Sequence, residues 1–364
     1  MVPRRAPSFS VAIPAPAGAL RRERGLASAR MRTMNKGMPY PKIELHVHLE
    51  ATIQPETLLE IAKRNGEALP ADTVEGLREL YRFRDFDHFI EVWILTTNCL
   101  RTEADFRQVV VDYAAEAKRH GAVYLEAIFS PIERTWRGVS WDEIFAGYCD
   151  GAQQARELHG VEVRLTPDIT RSAPLEHAHR LVEVAARYRD RGIVAVGLGG
   201  EEAYYPNEPF APAFRAAREA GLGSVPHAGE VVGAESVRSA LDHLEPDRLR
   251  HGFRAVEDPA LVRELADRGL VLDLTPTSNV RTGAVRTLEE HPVRELAAAG
   301  VRCSISTDDP VMFDTDLTRE YEAAESLGLD PRDLYENALA GALCDAEAKA
   351  RLAELGAASA WPRG

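Results

Sequence analysis

No apolar run in the 364-residue chain approaches the eighteen or so residues that a membrane-spanning helix needs, so nothing in the sequence indicates a membrane anchor. Cysteine is scarce: Cys99, Cys149, Cys303 and Cys344 lie far apart, and no Cys-X-X-Cys pair occurs. That excludes a zinc ribbon and a disulfide framework, and it suits a reducing, cytoplasmic compartment. Positive charge is in short supply as well. The formal net charge is −13, although the first 40 residues hold eight Lys or Arg and one Glu. By difference the remainder carries about −20, and a body that acidic argues against nucleic acid or anionic membrane as a partner. It also offers no obvious cradle for a phosphorylated ligand. No internal repeat of solenoid length is visible.

What the chain does have is a globular composition, 45% apolar and 28% charged, and a length that one α/β barrel can fill. Residues 1–38 are rich in Arg, Ala, Pro and Ser without sustained periodicity. They read as a disordered N-terminal extension or an overextended start, since Met31, Met34 and Met38 lie there; an Arg-rich targeting arm is the competing reading. A single domain is expected over 39–355.

From Pro41 onward strand and helix patterns alternate. Ile43–Val47 alternates apolar and polar residues, the period of a strand. Further strands are expected at Val123–Phe129, Val161–Ile169, Ile193–Leu198, Gly223–Pro226, Arg248–His251, Leu270–Leu274 and Val301–Thr307. Helices are expected at Gln54–Asn65, Pro212–Ala220, Ala260–Arg268 and Val293–Ala299, with several more across 75–120. An aromatic cluster in that stretch, Tyr81, Phe83, Phe86, Phe89 and Trp93, reads as core or as cover for a ligand pocket. Eight strands alternating with helices predict an α/β fold, a (β/α)8 TIM barrel with extra helices between strands 1 and 2. A doubly wound open sheet is the runner-up.

The chemistry-bearing residues favour the barrel. His46, His48, Gly200, His227, Glu230, His251, Asp308 and Asp309 all fall at or just past C-terminal strand ends, which in a barrel share one mouth. His46 and His48, two apart on a strand, project to one side and make half of a metal site. His227 can complete a triad. Gly229 lets the backbone turn so that Glu230 lies near the metal as a proton shuttle. Nitrogen ligands with one carboxylate suit Zn²⁺, which lowers the pKa of bound water from about 15.7 to about 7. Asp308 and Asp309, adjacent on a strand, are expected to point apart, one toward metal and one toward substrate. The histidines outside this set, His88, His120, His159, His177, His179, His243 and His291, read as surface or capping groups.

The stretches PKIELHVHLE (41–50), AVGLGGEE (195–202), VPHAGE (225–230), RHGF (250–253), PTSN (276–279) and STDDP (306–310) together resemble the adenosine deaminase family of the amidohydrolase superfamily. The resemblance covers about 41–350. It implies one zinc ion per chain and hydrolysis of a purine 6-amino group by water, with a small-molecule purine nucleoside as partner. It carries zinc ligation to His46, His48, His227 and Asp308. It makes Glu230 the proton donor to a ring nitrogen and His251 the residue orienting the attacking oxygen. Asp309 would bond another ring nitrogen, and the Gly200 N–H would meet the purine. The His-X-Glu…Pro-Cys-X-X-Cys pattern of cytidine-type zinc deaminases is missing.

The sequence departs from the family pattern in three places. His48-Leu49-Glu50-Ala51 stands where His-Leu-Asp-Gly is usual, so Glu50 meets the sugar side with a longer acid. Gly197-Leu198-Gly199-Gly200-Glu201 stands for Asp-Leu-Ala-Gly-Asp. The loop with Arg134, Trp136 and Arg137 matches no adenosine enzyme pattern. Adenosine (or 2'-deoxyadenosine) is the leading expected substrate. The alternative is 6-aminodeoxyfutalosine, a menaquinone precursor with a benzoate on the sugar side, which Arg134 or Arg137 can meet by a bidentate pair. A solvated loop is the plainer reading of both arginines. The Ser-Ser-Glu stretch of adenine deaminases is not found after the fourth strand. A different amidohydrolase with two metals is disfavoured because no Lys falls at a strand end, and a non-catalytic barrel would not need Glu230.

Overall fold

Nine short strands, all paired in parallel, wrap the centre of the molecule in the computed structural model, which describes residues 40–83 and 86–362. The expected N-terminal extension, and the side chains of Phe86 and Phe89 from the expected aromatic cluster, lie outside the described residues. The strands are β1 (Lys42–His48), β2 (Ala122–Phe129), β3 (Glu162–Thr170), β4 (Ala195–Gly199), β5 (Gly223–Ser224), β6 (His227–Ala228), β7 (Arg248–His251), β8 (Val271–Leu274) and β9 (Arg302–Ile305). They run in sequence order as β1 to β5 and β6 to β9. Both faces of such strands are covered, which is why most read as nearly continuous buried runs.

β5 and β6 are two pieces of one barrel strand, separated at Pro226. The Val194 and Val196 carbonyls take the N–H groups of Gly223 and Val225. The next carbonyl in that series, Leu198, takes the ring Nδ1 of His227 instead. The break therefore aims an imidazole rather than a backbone group at β4. The ring of strands closes where the residues past β9 meet β1. His48 N–H donates to the Asp308 carbonyl at 2.9 Å, and Asp308 N–H donates to the His46 carbonyl at 3.1 Å. Eight barrel strands with crossover helices make the expected TIM barrel.

The extra helices between β1 and β2 are Pro55–Asn65, Val74–Leu80, Phe86–Asn98 and Glu103–Arg119. Within the barrel, β7 sends two buried arginines inward from positions two apart. Arg248 pairs with Glu126 (2.8 Å) and Asp273 (2.5 Å), and Arg250 pairs with Asp168 (2.5 Å). Buried charges of this kind need such partners, because an unpaired one costs several kcal/mol.

Candidate active site

At the C-terminal mouth of the barrel four potential metal-ligand atoms crowd together. His46 Nε2 lies 3.1 Å from His227 Nε2, and His48 Nε2 lies 3.3 Å from the same atom. Asp308 Oδ1 is 3.3 Å from both His46 Nε2 and His48 Nε2. The opposite ring nitrogens explain the crowding. His46 Nδ1 faces the Asp273 carbonyl at 3.3 Å, and His227 Nδ1 faces the Leu198 carbonyl at 3.0 Å. A carbonyl only accepts, so each Nδ1 carries the proton and each Nε2 turns a lone pair to the centre. Lone pairs and a carboxylate this close repel unless a cation lies between them. Metal–ligand bonds of about 2.0–2.1 Å in a tetrahedron put donor atoms roughly 3.3 Å apart, close to the separations found here. The donor set thus fits one divalent ion.

Asp308 reaches this position by a route different from strand alternation. β9 ends at Ile305, and Asp308 has φ +64, a left-handed conformation that is costly for a residue with a side chain. The turn brings Asp308 and Asp309 to the same side, where both carboxylates lie close to His48. The expectation that they point apart is therefore corrected. Asp308 Oδ2 is held by the Ser278 hydroxyl at 2.7 Å and by Thr275 at 3.3 Å.

Glu230 and His251 border the cluster. His251 Nε2 is 3.4 Å from Glu230 Oε2 and 3.9 Å from Asp308 Oδ2. Burial, followed by the nearby carboxylates of Asp308 and Glu202, pushes the Glu230 carboxyl up to about 8. Burial likewise lowers the His251 imidazole to about 4, so the ring is neutral. Burial and then Asp308 hold the Asp309 carboxyl well above the ordinary range, and its Oδ1 has no hydrogen-bond partner among the described residues. Gly229 has φ +68, the sharp turn expected before Glu230.

Glu50 is buried, with Oε1 accepting from the Ser130 N–H (2.8 Å) and the Tyr148 hydroxyl (3.4 Å). Arg134 does not sit in solvent. It is 3% exposed, and its one ion pair among the described residues is a loose 4.0 Å contact with the neighbouring Glu133. Its Nε and Nη1, together with Glu50 Oε2, have no hydrogen-bond partner among the described residues. Arg137 is engaged elsewhere, with Glu67 at 3.2 Å. Gly200 is exposed at φ +101, and the Trp93 ring stands 6.2 Å from that of His48. Trp93 thus borders the histidine cluster, whereas Tyr81 of the same aromatic stretch packs against the hydrophobic core.

Three supporting residues escaped the sequence reading. Glu202 takes the N–H groups of Gly229 (2.6 Å), Glu230 (3.2 Å), Val231 (2.8 Å) and Val232 (3.0 Å), and so holds the loop that carries Glu230. Its neighbour Glu201 is exposed, and nothing in a Glu-Glu pair says which one turns inward. Asp168 Oδ2 lies 3.3 Å from His227 Nδ1. A Cβ on Gly197 would fall 2.0 Å from Asp168 Oδ1, so the glycine that departs from the family pattern makes room for this carboxylate. The third is His291, which is 3% exposed and hydrogen-bonded to Asn279, so the surface reading fails for it.

The adenosine deaminase family profile matches residues 41–357. The aminodeoxyfutalosine deaminase of Acidothermus cellulolyticus is 55% identical over 329 residues, 88% of this chain and 92% of that protein. The adenine deaminase of Cupriavidus necator is 39% identical over 297 residues, 81% of this chain and 84% of that one. The crystal structure of an Arthrobacter aurescens adenine deaminase superposes with a TM-score of 0.81 at 30% identity, covering 87% of this chain and 98% of that one. A Burkholderia ambifaria amidohydrolase with bound Zn gives a TM-score of 0.78 at 25% identity, covering 88% and 93%.

Proposed function

Because the chain belongs to the adenosine deaminase family, a group of hydrolases that deaminate purine-type substrates, we propose that it acts on 6-aminodeoxyfutalosine. The leading expectation from sequence was adenosine. The 55% identical relative favours the alternative, and so does one feature of the site. Arg134 is a buried guanidinium whose Nε and Nη1 have no hydrogen-bond partner among the described residues, and its charge acts on the Glu50 carboxyl, whose Oε2 is likewise unpartnered. A buried cation in that state calls for an anion, and a carboxylate matches the guanidinium fork in two places. Adenosine and adenine have no carboxylate to offer.

In this reading His46, His48, His227 and Asp308 would hold one zinc ion, which would supply the Lewis acidity that makes water a nucleophile at neutral pH. Glu230, whose carboxyl burial and neighbouring acids push up to about 8 before a cation is bound, gives its proton to a purine ring nitrogen. Asp309, with a free Oδ1, bonds a second ring nitrogen, and the Gly200 N–H meets the purine edge. His251 turns a ring N–H toward the reacting atoms. A bond from C6 to the water oxygen forms, the C6–N bond breaks, and ammonia leaves a 6-oxo product. Four free cysteines, three of them buried, fit a cytoplasmic enzyme with a small molecule as its partner. No described helix is long and apolar enough to cross a membrane.

The test is kcat/KM on 6-aminodeoxyfutalosine, adenosine and adenine, for the wild type and Arg134→Met. The carboxylated substrate should be preferred. Losing the charge-assisted contact should cost about 1.5–3 kcal/mol, roughly ten- to hundred-fold, on that substrate alone. Preference for adenosine, or equal losses on all three, would return the loop to a structural role.

A further inference from the structure

A single line of hydrogen bonds enters the site from behind His251, and its direction is set at its far end. The Val293 backbone N–H lies 3.1 Å from His291 Nδ1. A backbone N–H can only donate, so Nδ1 accepts and the proton of a neutral His291 ring sits on Nε2. That Nε2 lies 3.0 Å from Asn279 Oδ1. The amide oxygen accepts, which fixes the orientation of the Asn279 side chain. Asn279 Nδ2 then faces His251 Nδ1 at 3.3 Å. An amide nitrogen only donates, so His251 Nδ1 must accept, and the His251 proton is left on Nε2, the atom aimed at Glu230 and Asp308.

We infer that Asn279 and His291 are positioning residues that fix which ring nitrogen of His251 carries its proton, so that His251 meets the reacting centre as a hydrogen-bond donor.

The surroundings favour this over a plain brace. Thr275 Oγ1 lies 3.3 Å from both His251 Nδ1 and Asp308 Oδ2, and its one hydrogen can go to either; Asp308 Oδ2 is already held by the Ser278 hydroxyl at 2.7 Å, so a Thr275 hydroxyl turned to His251 agrees with a bare Nδ1. With Nδ1 protonated, that proton would face the Asn279 amide hydrogens. Asn279 cannot turn over to relieve the clash, because His291 Nε2–H would then meet an NH₂ group. Asn279 is fully buried, so water does not supply a substitute. Burial pushes the His291 imidazole down to about 4, which keeps the ring neutral and the line directional at working pH. Of the groups ahead of Nε2, the Asp308 carboxylate oxygen at 3.9 Å only accepts, and Glu230 Oε2 at 3.4 Å accepts when the carboxyl proton sits on its other oxygen, so both are compatible with a donor there. His251 has φ 60, so the backbone is held in an unusual conformation at the residue whose ring is being fixed.

The effect on rate rests on the role given to His251 above; the tautomer does not. The test therefore has two arms. In protein labelled with ¹⁵N-histidine, the ring signals of His251 are identified by their loss in His251→Ala. The wild type should show a protonated Nε2 and a bare Nδ1. Asn279→Asp puts an acceptor against Nδ1 and should reverse that pattern. In the kinetic arm, run on whichever purine is turned over, His291→Leu should lower kcat roughly 10- to 100-fold, with KM and metal content unchanged. His291→Gln, whose amide can still donate to Asn279, should keep most of the rate. The inference is overturned by a protonated Nδ1 in the wild type. It is also overturned by wild-type kcat in His291→Leu, or by equal rate losses in the Leu and Gln variants. The Leu and Gln pair decides the matter even where Asn279→Asp fails to fold.

Discussion

In the proposed mechanism Glu230 has to keep a proton at a pH where most carboxyls have lost theirs, and its neighbours favour that. Two other acids, Asp308 and Glu202, lie close enough to disfavour a third negative charge, and the recess excludes the water that would stabilise one. The acid form is the useful one, so activity should fall as pH rises through this titration. A bound divalent cation favours the carboxylate, so the alkaline limb should lie below about 8 in the metal-loaded enzyme. Glu230→Gln should lower kcat by about 10²–10⁴-fold with metal retained, and the remaining activity should lack that limb. An unchanged pH profile would assign the limb to another group. At this scale the sequence was informative where function concentrates residues of one type at strand ends, as with His46, His48 and His227. It left Arg134 open between a carboxylate-binding and a solvated group and was silent on Glu202, because a charged residue in a polar loop looks the same whether it is solvated or buried.

Among the elements, the helix Leu317–Ser326 carries the most exposed consequence of a buried acid. Its Glu320 accepts from the Thr277 N–H (3.2 Å) and the Thr315 hydroxyl (2.6 Å), tying the helix to the segment that holds Ser278 and Asn279. Burial raises the Glu320 carboxyl to about 7. The unfolded chain releases the same proton near pH 4.3, so between the two values the folded state binds more protons and stability falls as pH rises. The full difference is about 3.7 kcal/mol, reached above pH 7. Glu320→Gln should therefore melt closer to wild type at pH 5 than at pH 8, with the variant gaining on wild type as pH rises. Parallel melting curves would show that the carboxyl titrates normally. Strand positions were legible from apolar runs bounded by polar groups, usually to within two residues. The break at Pro226 and the early end of β9 were not, since both depend on backbone pairing across the barrel.

For the whole molecule, the metal site joins first, middle and last parts of the barrel. A ligand that binds only the folded state stabilises it, by about 2.7 kcal/mol at a hundred times its dissociation constant. Stripping with a chelator should therefore lower the melting temperature by several degrees and abolish turnover. Added Zn²⁺ should restore both at close to one ion per chain, and a stoichiometry near two would move the assignment to a binuclear hydrolase. The barrel was legible from the number of strands and from the polar groups gathered at their ends. Its closure was not, because the contacts between β1 and the residues past β9 join segments some 260 positions apart. That seam has a consequence for biosynthesis. His46 and His48 leave the ribosome early, His227 much later, and Asp308 only after nearly the whole barrel has been made. A nascent chain arrested before the last strand can expose three of the four donors but cannot close the cage around an ion. Metal capture is therefore a late event, and an arrested chain that lacks residue 308 should exchange zinc freely where the released enzyme does not.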